Sequence, residues 1–241
     1  MRRIKILLVL SVVCVLFTGV YAEAKKLSDE AELSFVDTGG NTDVTTLSAK
    51  NTLKYKFAEE LEGTWKSGIM YGESSGERNA ESYFTEFRLD YLITERYYAN
   101  AFAGWLQNRF AGISNRFQMG PGIGYKFFNG PKHFLIGEAG LMFVYEEYTN
   151  NIDESYIGGR TFAQYQYAFT QKNKFSQSLE LLFSFDEGSN YNVNSETALI
   201  SALNNYLFLK ASYEVKFDNQ PVPATLDKTD TILAISLLVN F

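Results

Sequence analysis

Tyr83-Phe84-Thr85-Glu86-Phe87-Arg88-Leu89-Asp90-Tyr91-Leu92-Ile93 alternates without a slip: its odd positions are rings, aliphatics and one threonine, while Glu86, Arg88 and Asp90 all fall on even ones. Successive side chains of a β-strand point to opposite faces, so this is a strand with one uncharged face and one charged face. The same parity runs through residues 45–57, 61–71, 97–107, 117–127, 135–145, 157–169, 175–185, 197–203, 207–217 and 231–241. Together the eleven segments hold 66 odd positions, none of them Asp, Glu, Lys or Arg. With a chain that is 21% charged, chance would place roughly 14 charges there. A weaker stretch, 30–37 with Leu33 and Phe35 on the same parity, brings the expected strands to twelve.

The connections alternate as well. Residues 58–60, 94–96, 128–132, 171–173 and 204–205 read as tight turns, whereas 38–43, 74–82, 108–116, 148–155, 187–196 and 218–230 are longer and polar. An even number of strands, short turns alternating with long loops, and both chain ends on the short-turn side describe a closed antiparallel transmembrane β-barrel of the outer-membrane type. Hydrocarbon offers no water to a stray backbone N–H or C=O, so the strands must close into a ring. A Lys or Arg facing mid-bilayer costs about 2–4 kcal/mol, which keeps the odd face clear of charge. Aromatics cluster at both ends of that face: Tyr55, Phe57, Tyr97, Phe127, Phe169, Phe175 and Phe241 near the short turns, and Tyr71, Tyr83, Trp105, Phe117 and Tyr145 near the long loops. They predict two interfacial girdles. Alternation also builds soluble sandwiches and lipocalin-like barrels. A packed core, however, would be left with voids by Gly63, Gly137 and Gly159 on the uncharged face.

Residues 1–22 read as a secretory signal peptide: Arg2, Arg3 and Lys5, an apolar run from Ile6 to Val20, and small residues at Ala22 and Ala24. Cleavage is expected after Ala22, with Ala24 the alternative, leaving 23–241 as the barrel domain. The lone Cys14 leaves with the leader, so no disulfide is expected. The whole chain carries a formal charge of −6, which argues against nucleic-acid binding. One His and one Cys exclude a His/Cys metal centre and make most nucleophilic catalysis untenable, so neither an enzyme nor a cofactor is expected. His133 stands at a strand start beside a short turn, at the wrong end for a barrel phospholipase.

The even face of the same strands carries the candidate pore-lining charges Lys50, Lys54, Lys56, Lys66, Glu86, Arg88, Asp90, Glu138, Arg160, Glu180, Lys210 and Glu214. With Phe57 opposite Leu61, Lys56 would face Glu62 and Thr52 would face Lys66. Two outcomes are open: a pore with a weak anion bias, or a lumen plugged by pairing of these charges with acids on other strands. Inward apolar residues such as Met70, Phe84, Phe102, Met142 and Phe162 point to a narrow or partly blocked passage, since twelve strands lie between the filled eight-stranded barrel and the open porin. The acidic loops around Glu146, Glu147, Asp153 and Glu154 offer a second reading, a ligand- or cation-binding barrel. Gly120-Pro121-Gly122-Ile123-Gly124 lacks the following helix of a phosphate loop; a bulge or bend is expected at Pro121, with the even glycines thinning the inner wall. A dimer contact at Gly137 and Gly159 is conceivable, although a monomer is the expected state.

Gly40-Asn41-Thr42-Asp43 with Thr46-Leu47-Ser48-Ala49, the stretch from Leu209 to Lys216, and the ending from Lys228 to Phe241 resemble the exported family labelled salt-induced outer membrane protein, domain of unknown function 481. The resemblance implies a Gram-negative outer membrane, a link to osmotic or envelope stress, and no catalytic residue. A barrel in that setting implies outer-membrane lipid and lipopolysaccharide as surroundings, small solutes as possible cargo, and assembly machinery and periplasmic chaperones as partners, with the terminal Phe241 as the assembly signal.

Overall fold

A computed structural model describes residues 26–39, 44–74 and 77–240; the leader, residues 40–43 and Phe241 lie outside them. Twelve strands follow one another: β1 (Leu27–Gly39), β2 (Val44–Lys56), β3 (Leu61–Ser74), β4 (Glu77–Leu92), β5 (Tyr97–Asn108), β6 (Ile113–Asn129), β7 (His133–Tyr148), β8 (Asp153–Ala168), β9 (Asn173–Ser184), β10 (Tyr191–Ala202), β11 (Leu207–Asp218) and β12 (Thr229–Asn240). Each pairs antiparallel with its sequence neighbours, and β1 pairs with β12, so the sheet closes into a barrel. With every strand paired on both sides, no edge is left to be exposed to lipid.

The parity of the sequence is the geometry of the wall. Among the described residues, every large hydrophobic side chain on the outer surface sits at an odd position except Phe128, Ile152 and Tyr206. Those three lie at a bulge or in connections between strands. Lumen-side residues are even and include the buried Val36, Phe102, Met142, Val144 and Leu182. At the short-turn end the outer rings touch one another, as in Tyr55–Phe57 at 4.9 Å, Tyr97–Tyr125 at 4.7 Å and Tyr167–Phe169 at 5.0 Å. His133 belongs to this belt. Its Nδ1 lies 2.9 Å from the Tyr165 hydroxyl and its ring 5.0 Å from Tyr167, so its neighbours are aromatic side chains of the outer wall.

Local chemistry sets the tight turns. Thr94, Thr170 and Asn204 each turn a side-chain oxygen back to accept backbone N–H groups, at 3.0 Å from Tyr97, 3.0 Å from Asn173 and 2.9 Å from Leu207. The β2–β3 hairpin has the expected register, with Lys56 opposite Glu62 and Thr52 opposite Lys66. The strands, by contrast, run further than the alternation indicated. β4 begins at Glu77, and β7 and β8 reach Tyr148 and Asp153, which leaves short connections where long loops were expected. Spanning the bilayer takes about 9–11 tilted residues, and strands of 12–17 residues project beyond it. Above the lipid a ladder no longer needs an uncharged face, so alternation fades before the strand ends.

Of the bulge or bend expected at Pro121, no residue is inserted: pairing to β7 keeps one register from Met119–Phe143 to Gly122–Gly140, although the ladder is interrupted at Gly120 and Pro121, and the register shifts fall at Ile113/Asn115 and Lys126/Phe128. The strands instead approach closely there, since a Cβ on Gly120 would lie 1.9 Å from the Leu141 carbonyl oxygen. The outer-wall glycines are not bare. Rings fold over them, and a Cβ on Gly63, Gly137 or Gly159 would meet Phe57, Phe127 or Phe183 at 2.8, 3.0 and 2.3 Å. A cross-strand ring restores the packing that a glycine lacks.

Leu89, half exposed on the outer wall between Phe87 and Tyr91, tests the orientation of that wall. Leu89→Arg is expected to lower stability by about 2–4 kcal/mol in phospholipid vesicles, read from a denaturant titration of the folded barrel, whereas Leu89→Val should stay near wild type.

Candidate functional site

The lumen divides into two halves. The half towards the short turns is a cavity of about 1010 Å³, reaching from the turn residues Glu59, Glu60, Gly130 and Lys132 up to Arg88, Glu138 and Arg160. Its wall includes Lys54, Lys56, Lys66, Glu86, Asp90, Glu180 and Glu214 of the expected lining set. Lys50 and Lys210 lie outside that wall. Lys210 is tied to Glu196 at 3.1 Å and to Glu32 at 3.6 Å, and Lys50 packs against Gly68.

The roof of the cavity is a polar bridge assembled from six strands. Arg88 and Asp90 stand two apart on β4 and so share a face, and the guanidinium clasps that carboxylate at 2.6 and 2.9 Å. The same guanidinium reaches Glu138 on β7 at 2.7 and 3.1 Å, a forked pairing that only Arg provides. Glu138 also accepts from Tyr98 at 2.7 Å and from Arg160 at 2.9 Å. Arg160 continues to Glu180 at 2.7 Å, and Asn194 on β10 donates to the other Glu180 oxygen at 3.1 Å. Arg160 lies 5.4 and 5.2 Å from the Phe102 and Phe162 rings, which cover its faces.

The glycine run of β6 makes this bridge possible. Tyr98, Asn100 and Phe102 lie directly opposite Gly124, Gly122 and Gly120. A Cβ on Gly124 would stand 2.1 Å from Tyr98 Cζ, so the missing side chain is what lets the phenol lie across β6 to reach Glu138. The stretch that superficially resembled a phosphate loop is thus a track for the side chains of β5. Tyr98 and Asn194 were not singled out in the sequence; the pairing of an inward ring with an inward glycine on the adjacent strand was the available signal.

A second polar cluster sits on the opposite wall, where the ring closes. Ser34 on β1 and Ser236 on β12 are 2.8 Å apart, and Ser236 donates to Glu32 at 2.6 Å. Two further inward acids are paired, Glu86 with Lys66 at 3.5 Å and Glu214 with Lys216 at 3.3 Å.

The long-loop half is filled. Phe102, Met142, Val144, Tyr156 and Leu182 form a buried apolar layer, with Met142 and Val144 each only 1% exposed. Beyond it Arg116 pairs with Glu146, which also accepts from Tyr148 at 2.5 Å. Glu147 accepts from Asn115 at 2.7 Å and Tyr145 at 3.1 Å. These acidic residues are therefore engaged by protein groups, and among the described residues no cluster of His, Cys, Asp and Glu is arranged to hold a metal ion.

Residues 219–228, between β11 and β12, reach across the mouth. Their near side is tied to the β9–β10 connection: Gln220 donates to Glu187 at 2.7 Å and to Ser189 at 2.9 Å, and Asn219 donates to the Ser189 carbonyl at 2.9 Å. Their far side meets Gly112 in the β5–β6 connection, where a Cβ would stand 2.2 Å from the Val222 carbonyl oxygen and 3.0 Å from Leu226. Gly112 has φ of +79°, a left-handed conformation that glycine adopts without strain. In the ring order the β5–β6 and β11–β12 connections are diametrically opposed. The contact is therefore a strap over the opening. Hydrogen bonds from Gln220 and Ser189 hold the Glu187 carboxyl below the usual carboxylate range.

The family model described as "Protein of unknown function, DUF481" matches residues 31–241. Over 217 residues the chain is 29% identical to "Uncharacterized protein YdiY" of Escherichia coli (strain K12), covering 90% of this chain and 84% of that one. Among solved structures, the NanC porin aligns at a TM-score of 0.61 and 7% identity, covering 87% of this chain and 98% of the porin. The COG4313 outer membrane channel from Pseudomonas putida F1 gives 0.59 at 10% identity, with 92% and 98% covered. The translocator domain of the autotransporter NalP from Neisseria meningitidis gives 0.56 at 12%, with 95% and 93% covered. At such identities the likeness is one of fold, that of an outer-membrane barrel.

Glu138 is the shared acceptor of the bridge, and its side chain is 2% exposed. Glu138→Ala leaves Arg88 and Arg160 short of a partner and is expected to cost about 3–5 kcal/mol. Tyr98→Phe removes one hydrogen bond to a charged group and should cost about 1.5–3 kcal/mol. Both are read from denaturant midpoints of the barrel in vesicles, with Gly124→Ala expected to mimic the loss of the Tyr98 contact.

Proposed function

The chain belongs to the DUF481 family, and from the geometry of its lumen we propose that it is a narrow, non-enzymatic channel of the outer membrane that rests closed at its long-loop end. One observation carries the reading: the cavity opens among the short turns, and its wall includes no residue of the long-loop connections. Between the cavity and the outside stand the apolar layer around Met142 and then the strap. A solute entering from the periplasmic side meets charges of both signs and then a dry plug.

The bridge and the strap contribute differently. The bridge is held by buried charge-assisted bonds across six strands, so it braces the wall and narrows the lumen. The strap is held by exposed polar bonds, which water competes for, and by small apolar contacts at Gly112. Connections of this kind open at much lower free energy than a barrel wall. Opening therefore requires release of residues 219–228 together with a shift of the apolar layer beneath them, the strap being the part that yields first.

Planar-bilayer recording of the refolded barrel is the test. Wild type is expected to show small, infrequent openings. Replacing residues 221–226 by a short Gly-Ser linker should raise open time and conductance. A folded barrel silent in both forms would remove the channel. Acid supplies a second lever. Because Glu187 has a lowered pKa in the folded strap, its contribution is complete above the ordinary value of 4.5 and is lost as pH falls through the lowered one. Openings should therefore become more frequent only as pH falls below 4.5, and Gln220→Ala should bring the same behaviour to neutral pH.

A further inference from the structure

We propose that the β6–β9 wall of the cavity, just inside the short-turn rim, is a binding site for a small multivalent anion, bearing carboxylate or phosphate groups, that arrives from the periplasmic side. The argument begins with which charges of the cavity already have partners. Glu86 is held by Lys66, Asp90 by Arg88, Glu138 by Arg88 and Arg160, Glu180 by Arg160, Glu196 by Lys210, and Glu214 by Lys216. The deep acids are thereby neutralised. Lys126 on β6 and Lys174 on β9 are different: among the described residues no carboxylate lies within ion-pair distance of them, whereas Lys132 in the β6–β7 turn lays its ammonium over the outer Tyr167 ring at 5.8 Å.

The acids left over do not offset them locally. Glu59, Glu60 and Glu62 all belong to the β2–β3 hairpin, and Lys56 stands opposite Glu62 there. Lys174 does interact electrostatically with Glu30 on β1, but as part of a set that also includes Lys54 and Lys210. The side of the mouth formed by β6–β9 is consequently positive, while the β2–β3 side is close to balanced.

The same wall offers Gln164, Gln166 and Ser178, neutral groups that donate hydrogen bonds to an anion without adding charge. Two ammonium groups on flexible stems, one on β6 and one on β9, suit a ligand with separated acidic groups better than a single planar carboxylate, which would call for an Arg fork. A cavity of about 1010 Å³ admits a small organic molecule with its hydration. The site depends on the opening at the short turns and not on conduction, so it goes beyond the channel reading and stands or falls separately.

Calorimetric titration of the refolded barrel in neutral detergent, with citrate, tripolyphosphate, spermidine and sucrose as probes, tests the site. Citrate or tripolyphosphate is expected to bind, more weakly at high salt, while spermidine and sucrose do not; the stronger of the two anions identifies the acidic group preferred. The double variant Lys126→Gln/Lys174→Gln should weaken anion binding about tenfold or more, the double Lys→Arg variant should retain it, and Arg96→Gln, in a short turn with its side chain on the outer Tyr125 hydroxyl, should change nothing. Should the double variant fail to fold, each single Gln variant is measured alone and is expected to weaken binding severalfold. Binding of neither anion, equal binding of spermidine, or anion affinity unmoved by the Gln variants would overturn the proposal. Bilayer recording on the same preparations separates the two readings: a silent barrel that binds citrate keeps the site, and a conducting one that binds neither anion loses it.

Discussion

Backbone hydrogen bonding in a medium without water is the constraint behind every other feature of this molecule. A strand in hydrocarbon has no alternative partner for its N–H and C=O groups, so the sheet must meet itself, and β1 joins β12. Ring closure then assigns each side chain to lipid or lumen by parity alone. An uncharged outer face and a charged inner one follow, with no soluble core to bury either.

The lumen has to solve a second problem, because inward charges are shielded from bulk water wherever large side chains surround them. Burying an ion is costly unless its partners are close and well aligned. The bridge meets this condition through geometry: Glu138 takes two guanidinium groups and a phenol, and each guanidinium serves a further carboxylate. Glycines on β6 supply the room, so the polar network and the smooth inner wall beneath it form one arrangement.

Strand number, parity, the tight turns and the Lys56–Glu62 register were legible because each is local or imposed by the bilayer. The ends of the strands were not, since nothing above the lipid enforces alternation. Nor could sequence choose between an open and a plugged lumen. Arg88 and Glu138 are 50 residues apart and three strands removed, and their meeting depends on stagger around the ring and on Gly124 yielding space to Tyr98. The glycine run was visible, but its value lay in the neighbouring strand, which a motif read along the chain does not consult. The strap was hidden for a similar reason: residues 219–228 look like an ordinary polar loop until the ring order sets them opposite Gly112.

The seam between the first and last strands has its own implication for assembly. Glu32 enters with β1 beside Ser34 of the same strand, whereas two of the groups it meets, Ser236 and Lys210, come from β12 and β11 at the other extremity of the chain. A sheet that has inserted but not zipped shut would hold this anion on its leading margin without those two partners, and Lys210 near its trailing one with Glu196 alone. Mutual attraction of those margins rewards completion of the hoop, so the last hairpin acts as a clasp with its own electrostatic latch.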